Sequence, residues 1–235
     1  MTFTYAGYSD IGKRANNEDA YNVIQEDDSL VAVVADGLGG HANGEVASTI
    51  AADNVPRNTI RCEFDEDELG YAILDAHKDI CGNNSSACTT VAVLWIKGDK
   101  AIAAHVGDSR IYQLRDGKII YQSEDHSIVQ VEITLGKLPV DACRNHKDRN
   151  KVYNVLGDVN ERPRIDTCEL DVRPGDRFLL CSDGFWEPIT EEVMLETIFS
   201  SPAPQTWLDA MMDLIRKADL PKQDNNTSVV IFVNN

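Results

Sequence analysis

The chain has 235 residues, enough for one domain with a full hydrophobic core. Asp and Glu number 39 against 22 Lys and Arg, a formal charge of −17, which argues against nucleic acid or an anionic membrane surface as a partner, since each needs a positive patch. Hydrophobic residues make up 43%, too many for a disordered acidic tail, so the acid is either a solvated coat or partly invested in cation sites.

The first ten residues carry no basic region followed by an apolar stretch, so no signal peptide is expected and the chain reads as cytoplasmic. The longest apolar runs, Leu30 to Ala35 and Val91 to Ile96, are far shorter than a membrane span. Six cysteines (Cys62, Cys81, Cys88, Cys143, Cys168, Cys181) show no CxxC pairing and are expected to be reduced, mostly buried thiols. The sequons at Asn84 and Asn225 then carry no meaning. A cysteine phosphatase loop is not supported, because the spacing from Cys168 to Arg173 is one residue short.

In chain order, residues 2–9 alternate like an edge strand and 10–19 read as a polar loop. Residues 29–35 form a continuous apolar run, a buried strand that stops at Asp36-Gly37. Residues 44–58 suit a small-residue helix, weakened in its last turn by Pro56, and 65–79 a second helix. Strands follow at 89–96, 101–106 and 110–115, then a hairpin turn at Asp116-Gly117 into 118–122. Residues 127–160 are irregular and polar, with Arg144, His146, Lys147, Arg149 and Lys151 clustered. Strands return at 165–170 and 177–181, helices at 191–199 (Thr190 as N-cap) and 205–217, and a last strand at 227–233. Helices come in pairs between runs of strands, which predicts an α+β fold with helices packed on antiparallel sheets.

Two apolar runs end in Asp-Gly, at Asp36-Gly37 and Asp183-Gly184, Asp224 precedes the last strand, and Asn17-Glu18-Asp19 follows the first. A strand fixes a carboxylate, and glycine lets backbone approach a ligand. Converging carboxylates repel unless cations neutralise them, and an oxygen-rich, histidine-poor set suits Mg²⁺ or Mn²⁺. Two such ions can activate water and clamp a phosphoryl group. A single Asp-Gly is ordinary turn chemistry; two at strand ends, beside Asn-Glu-Asp and Asp-Asn, favour the site. A competing fingerprint, Gly37-Leu38-Gly39-Gly40-His41-Ala42, matches a dinucleotide-binding turn, but Asp36 would face the pyrophosphate with no basic residue nearby.

Seven motifs run in order from residue 14 to residue 227: Arg14-Ala15-Asn16-Asn17-Glu18-Asp19-Ala20, Ala35-Asp36-Gly37-Leu38-Gly39-Gly40-His41, Ala87-Cys88-Thr89-Thr90, His105-Val106-Gly107-Asp108-Ser109-Arg110, Asp125-His126-Ser127, Cys181-Ser182-Asp183-Gly184-Phe185-Trp186 and Asp224-Asn225-Asn226-Thr227. Together they resemble the metal-dependent serine/threonine protein phosphatases of type 2C, the PPM family, in its compact bacterial form. The resemblance implies a four-layer α-β-β-α sandwich, two antiparallel sheets flanked by helix pairs. It implies one catalytic domain over 1–235, with a flap subdomain at about 126–162.

By that resemblance Asp36 bridges two metals, Gly37 adds its carbonyl, and Asp183 and Asp224 complete the ligands. Glu18 and Asp19 act mainly through water, Arg14 holds the substrate phosphate, and Asp125 helps bind a weaker third ion. The cofactors implied are Mn²⁺ or Mg²⁺, two tight and a third weak. Asp108 to Arg110 are assigned to a tight strand connection, and His105 and His126 to structure. Leu38 stands where some family members carry a proposed general-acid histidine, and His41 is not taken as its replacement. The implied activity is hydrolysis of phosphoserine and phosphothreonine on proteins by a metal-bridging hydroxide attacking in line, with no covalent intermediate. The implied partners are phosphoproteins, targets of a serine/threonine kinase, met by a monomer. The alternatives are a binding module without turnover, which intact Asp36, Asp183 and Asp224 argue against, and a hydrolase of small phosphate esters.

Overall fold

The computed structural model describes residues 1–38, 43–83 and 87–235. The glycine-rich stretch after Leu38, including His41, and the Asn84 sequon therefore lie outside the described residues. The elements are β1 (Thr2–Asp10), β2 (Asp19–Glu26), β3 (Ser29–Leu38), α1 (Gly44–Thr59), α2 (Glu66–Gly82), β4 (Cys88–Thr89), β5 (Val91–Lys97), β6 (Lys100–Val106), β7 (Arg110–Arg115), β8 (Lys118–Gln122), α3 (Ile128–Thr134), α4 (Ala142–Asn145), β9 (Asp166–Asp171), β10 (Arg177–Cys181), α5 (Asp183–Trp186), α6 (Glu191–Phe199), α7 (Pro204–Ala218) and β11 (Asn226–Asn234). One sheet runs β1-β11-β10-β7-β8 and the other β2-β3-β5-β6-β9, with β4 paired to β3; every pairing is antiparallel.

Three apolar layers explain the unbroken hydrophobic runs. Leu30, Ala32 and Val34 on one face of β3 meet Phe178, Leu180, Val229 and Ile231 across the sandwich. On the opposite face, Val31, Val33 and Ala35 pack under Ala47, Ala51 and Val55 of α1 and Leu69 and Ile73 of α2. Leu179, Val230 and Phe232 pack outward against Trp207, Leu208 and Met211 of α7 and Met194 of α6. A strand buried on both faces cannot alternate, so its sequence reads as one apolar run. Each such side chain contributes about 1.5–3 kcal/mol by leaving water. The layers are therefore helix pair, sheet, sheet, helix pair, the predicted α+β sandwich.

Caps fall where the sequence puts them. Asp65 accepts from the Asp67 amide ahead of α2, and Thr190 accepts from the Val193 amide ahead of α6. Pro56 stays inside α1, near an end where its carbonyl still takes the Ile60 amide at 3.1 Å. Sequence reading passed over β2, an edge strand whose polar Asn22, Gln25 and Glu26 blur its pattern; pairing with β3 imposes it. It also passed over the one-turn helices α4 and α5 and the short α3. All six thiols are free, Cys143 and Cys181 buried and the other four half-buried. Among the described residues no helix is long and apolar enough to cross a membrane.

Candidate active site

The C-terminal ends of β3 and β10 and the N-terminal end of β11 open onto one cleft of about 300 Å³. Its lining includes Arg14, Glu18, Asp36, Gly37, Asp108, Asp183 and Asp224. Five carboxylates from five chain segments thus face one space.

Backbone bonds fix each of them. The Asp36 amide donates to Thr90 Oγ1 at 3.1 Å, and its carbonyl accepts from the Thr90 amide and from Thr89 Oγ1, both at 2.9 Å. Gly37 donates to the Glu18 carbonyl at 3.1 Å, and a Cβ there would strike the Gly44 and Glu18 carbonyl oxygens. Gly184 is held as closely, where a Cβ would strike the Asn225 carbonyl. Asp183 opens α5 and is followed by that glycine. Asn225 ties the entry loop down: its Nδ2 donates to the Ile11 and Asn16 carbonyls at 2.8 and 2.9 Å, and its Oδ1 accepts from the Glu18 amide at 2.9 Å. Arg14, more than half exposed, is paired with Asp224.

The electrostatics are those of crowded like charges. Burial, and then the carboxylates of Asp19, Asp183, Asp108 and Asp224, hold the Asp36 carboxyl well above the usual range. Burial, then Asp108, Glu187, Asp224 and Asp19, do the same to Asp183. Asp108 is pushed up to about 7 by burial and by the Asp125 carboxylate. Asp19, opposite Asp36 in the β2–β3 register, is pushed up to about 6, mainly by burial. Its Oδ2 accepts from Ser182 Oγ at 2.7 Å, while its Oδ1 is buried with no partner. An orphaned buried carboxylate oxygen beside an all-oxygen donor set, with no histidine or thiol in the lining among the described residues, fits hard divalent cations such as Mg²⁺ or Mn²⁺.

The structure brings Arg14, Glu18, Asp36, Gly37, Asp183 and Asp224 together; Asp19 lies beneath the cleft floor, outside the lining. Asp125 requires a correction. It is absent from this cleft, and both its oxygens accept from buried Arg110, Nε and Nη2 each at 2.7 Å. Both its oxygens are thus engaged by a buried guanidinium away from the cleft, so it is framework and not part of the facing set. Asp108, read from sequence as part of a strand connection, is the carboxylate that lines the cleft beside Asp183. The signal available was its place in Gly107-Asp108-Ser109-Arg110: the arginine takes Asp125, and Ser109 Oγ lies 2.7 Å from Thr90 Oγ1, the atom that holds Asp36.

In the basic stretch, Arg144 binds Glu191, Arg149 binds Glu187 at 2.6 Å and Lys151 binds Asp148 at 2.8 Å, so these three charges have partners within the chain. A second cluster, His105, His126 and Asp166, offers ligand atoms within 4.8 Å of one another. Its proton pattern disfavours a metal. His126 Nδ1 accepts from the Gly107 amide at 3.1 Å, so the neutral ring carries its proton on Nε2, facing Asp166 Oδ2 at 3.2 Å. His105 stacks on it at 4.6 Å with Nε2 donating to the Glu124 carbonyl at 2.7 Å. Both histidines read as structural.

Alongside this sandwich with carboxylates at its strand ends, the family model for protein phosphatase 2C matches residues 6–223. This chain belongs to that family. It is 33% identical over 99% of its length to the serine/threonine protein phosphatase PstP of Mycobacterium tuberculosis, of which it spans 45%. It is 30% identical over 94% of its length to the serine/threonine phosphatase stp of Listeria welshimeri, covering 92% of that protein. The crystal structure of the Mycobacterium tuberculosis PstP/Ppp superposes with a TM-score of 0.87 at 30% identity, covering both chains fully. A structure of the PstP catalytic domain in complex with two manganese ions superposes at 0.82 and 30% identity, covering 99% of each chain.

Proposed function

We propose that this chain is a serine/threonine protein phosphatase that hydrolyses phosphoserine and phosphothreonine on proteins, using divalent cations held by Asp36, the Gly37 carbonyl, Asp183 and Asp224. The observation that carries this reading is the set of five carboxylates lining a single cleft. That arrangement stores repulsion which bound divalent cations would relieve. It is supported by the manganese-bound relative of the same fold.

Bound cations would supply a bridging hydroxide for in-line attack on phosphorus, without a covalent intermediate, and Lewis acidity at the phosphoryl oxygens. The chain's own residues do the rest. Arg14, exposed at the cleft edge, leaves Asp224 to take the substrate phosphate with two of its N–H groups. Glu18, in the cleft lining, and Asp19, buried outside it, would order water around bound cations. Asp108 lines the cleft beside Asp183 and would help hold a further, weaker ion there. Leu38 lines the cleft and offers no proton.

The test is phosphopeptide hydrolysis after EDTA treatment, with Mn²⁺ or Mg²⁺ then restored and a nucleotide monophosphate assayed alongside. Activity lost with EDTA, regained with cation and higher on phosphopeptide is the expected result. Activity indifferent to EDTA overturns the reading, and preference for the nucleotide replaces it with a hydrolase of small esters.

A further inference from the structure

In the basic stretch between β8 and β9, Arg144 contacts the short turn that begins at the cleft residue Asp183. Arg144, on α4, is seven-eighths buried. Its Nη1 donates to the Trp186 carbonyl and to the Glu187 carbonyl at 3.0 Å; its Nη2 donates to both oxygens of Glu191 at 2.8 and 2.9 Å. Those two carbonyls stand at the C-terminal end of α5, the single turn whose first residue is Asp183, closed by the Glu187 amide on the Asp183 carbonyl at 2.8 Å. A one-turn helix leaves its last carbonyls unsatisfied, and here a guanidinium from another part of the chain satisfies them.

Trp186 carries the contact further. Its indole Nε1 donates to the Asp108 carbonyl at 3.0 Å. Its ring lies 3.5 Å from the Arg110 guanidinium and 5.3 Å from that of Arg144. Arg110 in turn holds Asp125 and stands 3.5 Å from Glu191. A few residues beyond Arg144, Asn150 and Val152 form part of the cleft wall.

From this we infer that Arg144 is a positioning residue: it fastens the 126–162 segment to the α5 turn, and thereby sets Asp183, Asp108 and the Asn150–Val152 wall relative to one another. The inference deepens the phosphatase reading and rests on it for its kinetic consequence, but its structural content stands separately. Arg144 touches no cleft space itself. Lysine cannot replace it, because one ammonium cannot serve two carbonyls and a carboxylate in the fixed geometry of a planar fork.

The experiment compares wild type, Arg144→Ala and the milder Arg144→Lys by amide hydrogen exchange and by phosphopeptide kinetics in Mn²⁺. Exchange should quicken in both variants at 183–187 and 142–152 together, while 91–97 in the central sheet stays as in wild type. Arg144→Ala should lose roughly tenfold in kcat/KM, the size of one charge-assisted hydrogen bond, and Arg144→Lys should recover only part of it. Unchanged exchange at 183–187, full rescue by lysine, or quickened exchange throughout the sheet would each overturn the inference. If wild type itself hydrolyses no phosphopeptide, the phosphatase reading fails instead, and the exchange pattern still decides whether Arg144 holds the turn.

Discussion

Two groups of buried carboxylates behave in opposite ways. In the cleft, Asp36, Asp108 and Asp183 face other carboxylates, and burial together with those like charges pushes their carboxyls above the ordinary range. Elsewhere in the fold, Asp125 takes Arg110, Glu191 takes Arg144, Glu187 takes Arg149 and Asp176 takes Arg115. The residue types are the same; the difference is whether the chain supplies the cation. Where it does, the carboxylate is part of the framework. Where several carboxylates are left to one another, the fold tolerates repulsion that a bound ion removes.

That contrast predicts opposite mutational signatures. Asp36→Asn and Asp183→Asn should each lower phosphopeptide turnover by at least about a hundredfold, because each removes an anion from the cation site. Metal-free melting temperature should hold or rise in the same variants, since repulsion is relieved. Asp125→Asn should do the reverse. It leaves Arg110 buried with half its partner, which costs about 3 kcal/mol of stability in denaturant unfolding, while Mn²⁺ binding in the folded fraction persists.

A smaller effect is expected at the cleft edge. Arg14→Ala should raise KM and weaken inhibition by inorganic phosphate about tenfold with kcat less affected, and Arg14→Lys should restore part of it. An unchanged KM and phosphate inhibition would make Arg14 an ordinary surface residue.

The smallest effect, and the one that sharpens the contrast most, is on pH. In the metal-free protein the cleft carboxyls bind protons that the unfolded chain has released, so stability is lost as pH rises through their folded values. His77 and His126, pushed down mainly by burial, act in the opposite direction, but only below about 6.5, where the unfolded imidazoles charge. Between pH 6.5 and 8, with Asp108 releasing its proton at about 7 and Asp36 and Asp183 above the ordinary range, the metal-free melting temperature should fall. Saturating Mn²⁺ should remove the slope. A flat metal-free profile over that interval would contradict the crowded-charge account.

Much of this was legible in the sequence, and the exceptions have physical causes. The doubly buried strands announced themselves as unbroken apolar runs, and Asp36 and Asp183 as the polar residues that end two of them. β2 was not legible, because its partner strand and not its own pattern makes it a strand. Nor was the division of labour between Asp108 and Asp125. Both follow strands, both sit in short polar motifs, and only the approach of Arg110 to one of them separates framework from cleft. Asn225 was visible as a motif letter, but its role in tying residues 11, 16 and 18 to the cleft depends on contacts across more than 200 residues of chain. The pairing of Arg144 and Arg149 was not legible either, because their partners Glu191 and Glu187 lie some 40 residues downstream.

The central claim is that the facing carboxylates are a cation site on which hydrolysis depends. Calorimetric titration of Mn²⁺ into metal-free wild type and Asp36→Asn, with phosphopeptide turnover measured on the same samples, tests it most directly. Tight Mn²⁺ binding in wild type, lost together with turnover in a folded Asp36→Asn, is the predicted result. A variant that keeps the wild-type isotherm, or turns over substrate without it, would contradict the account.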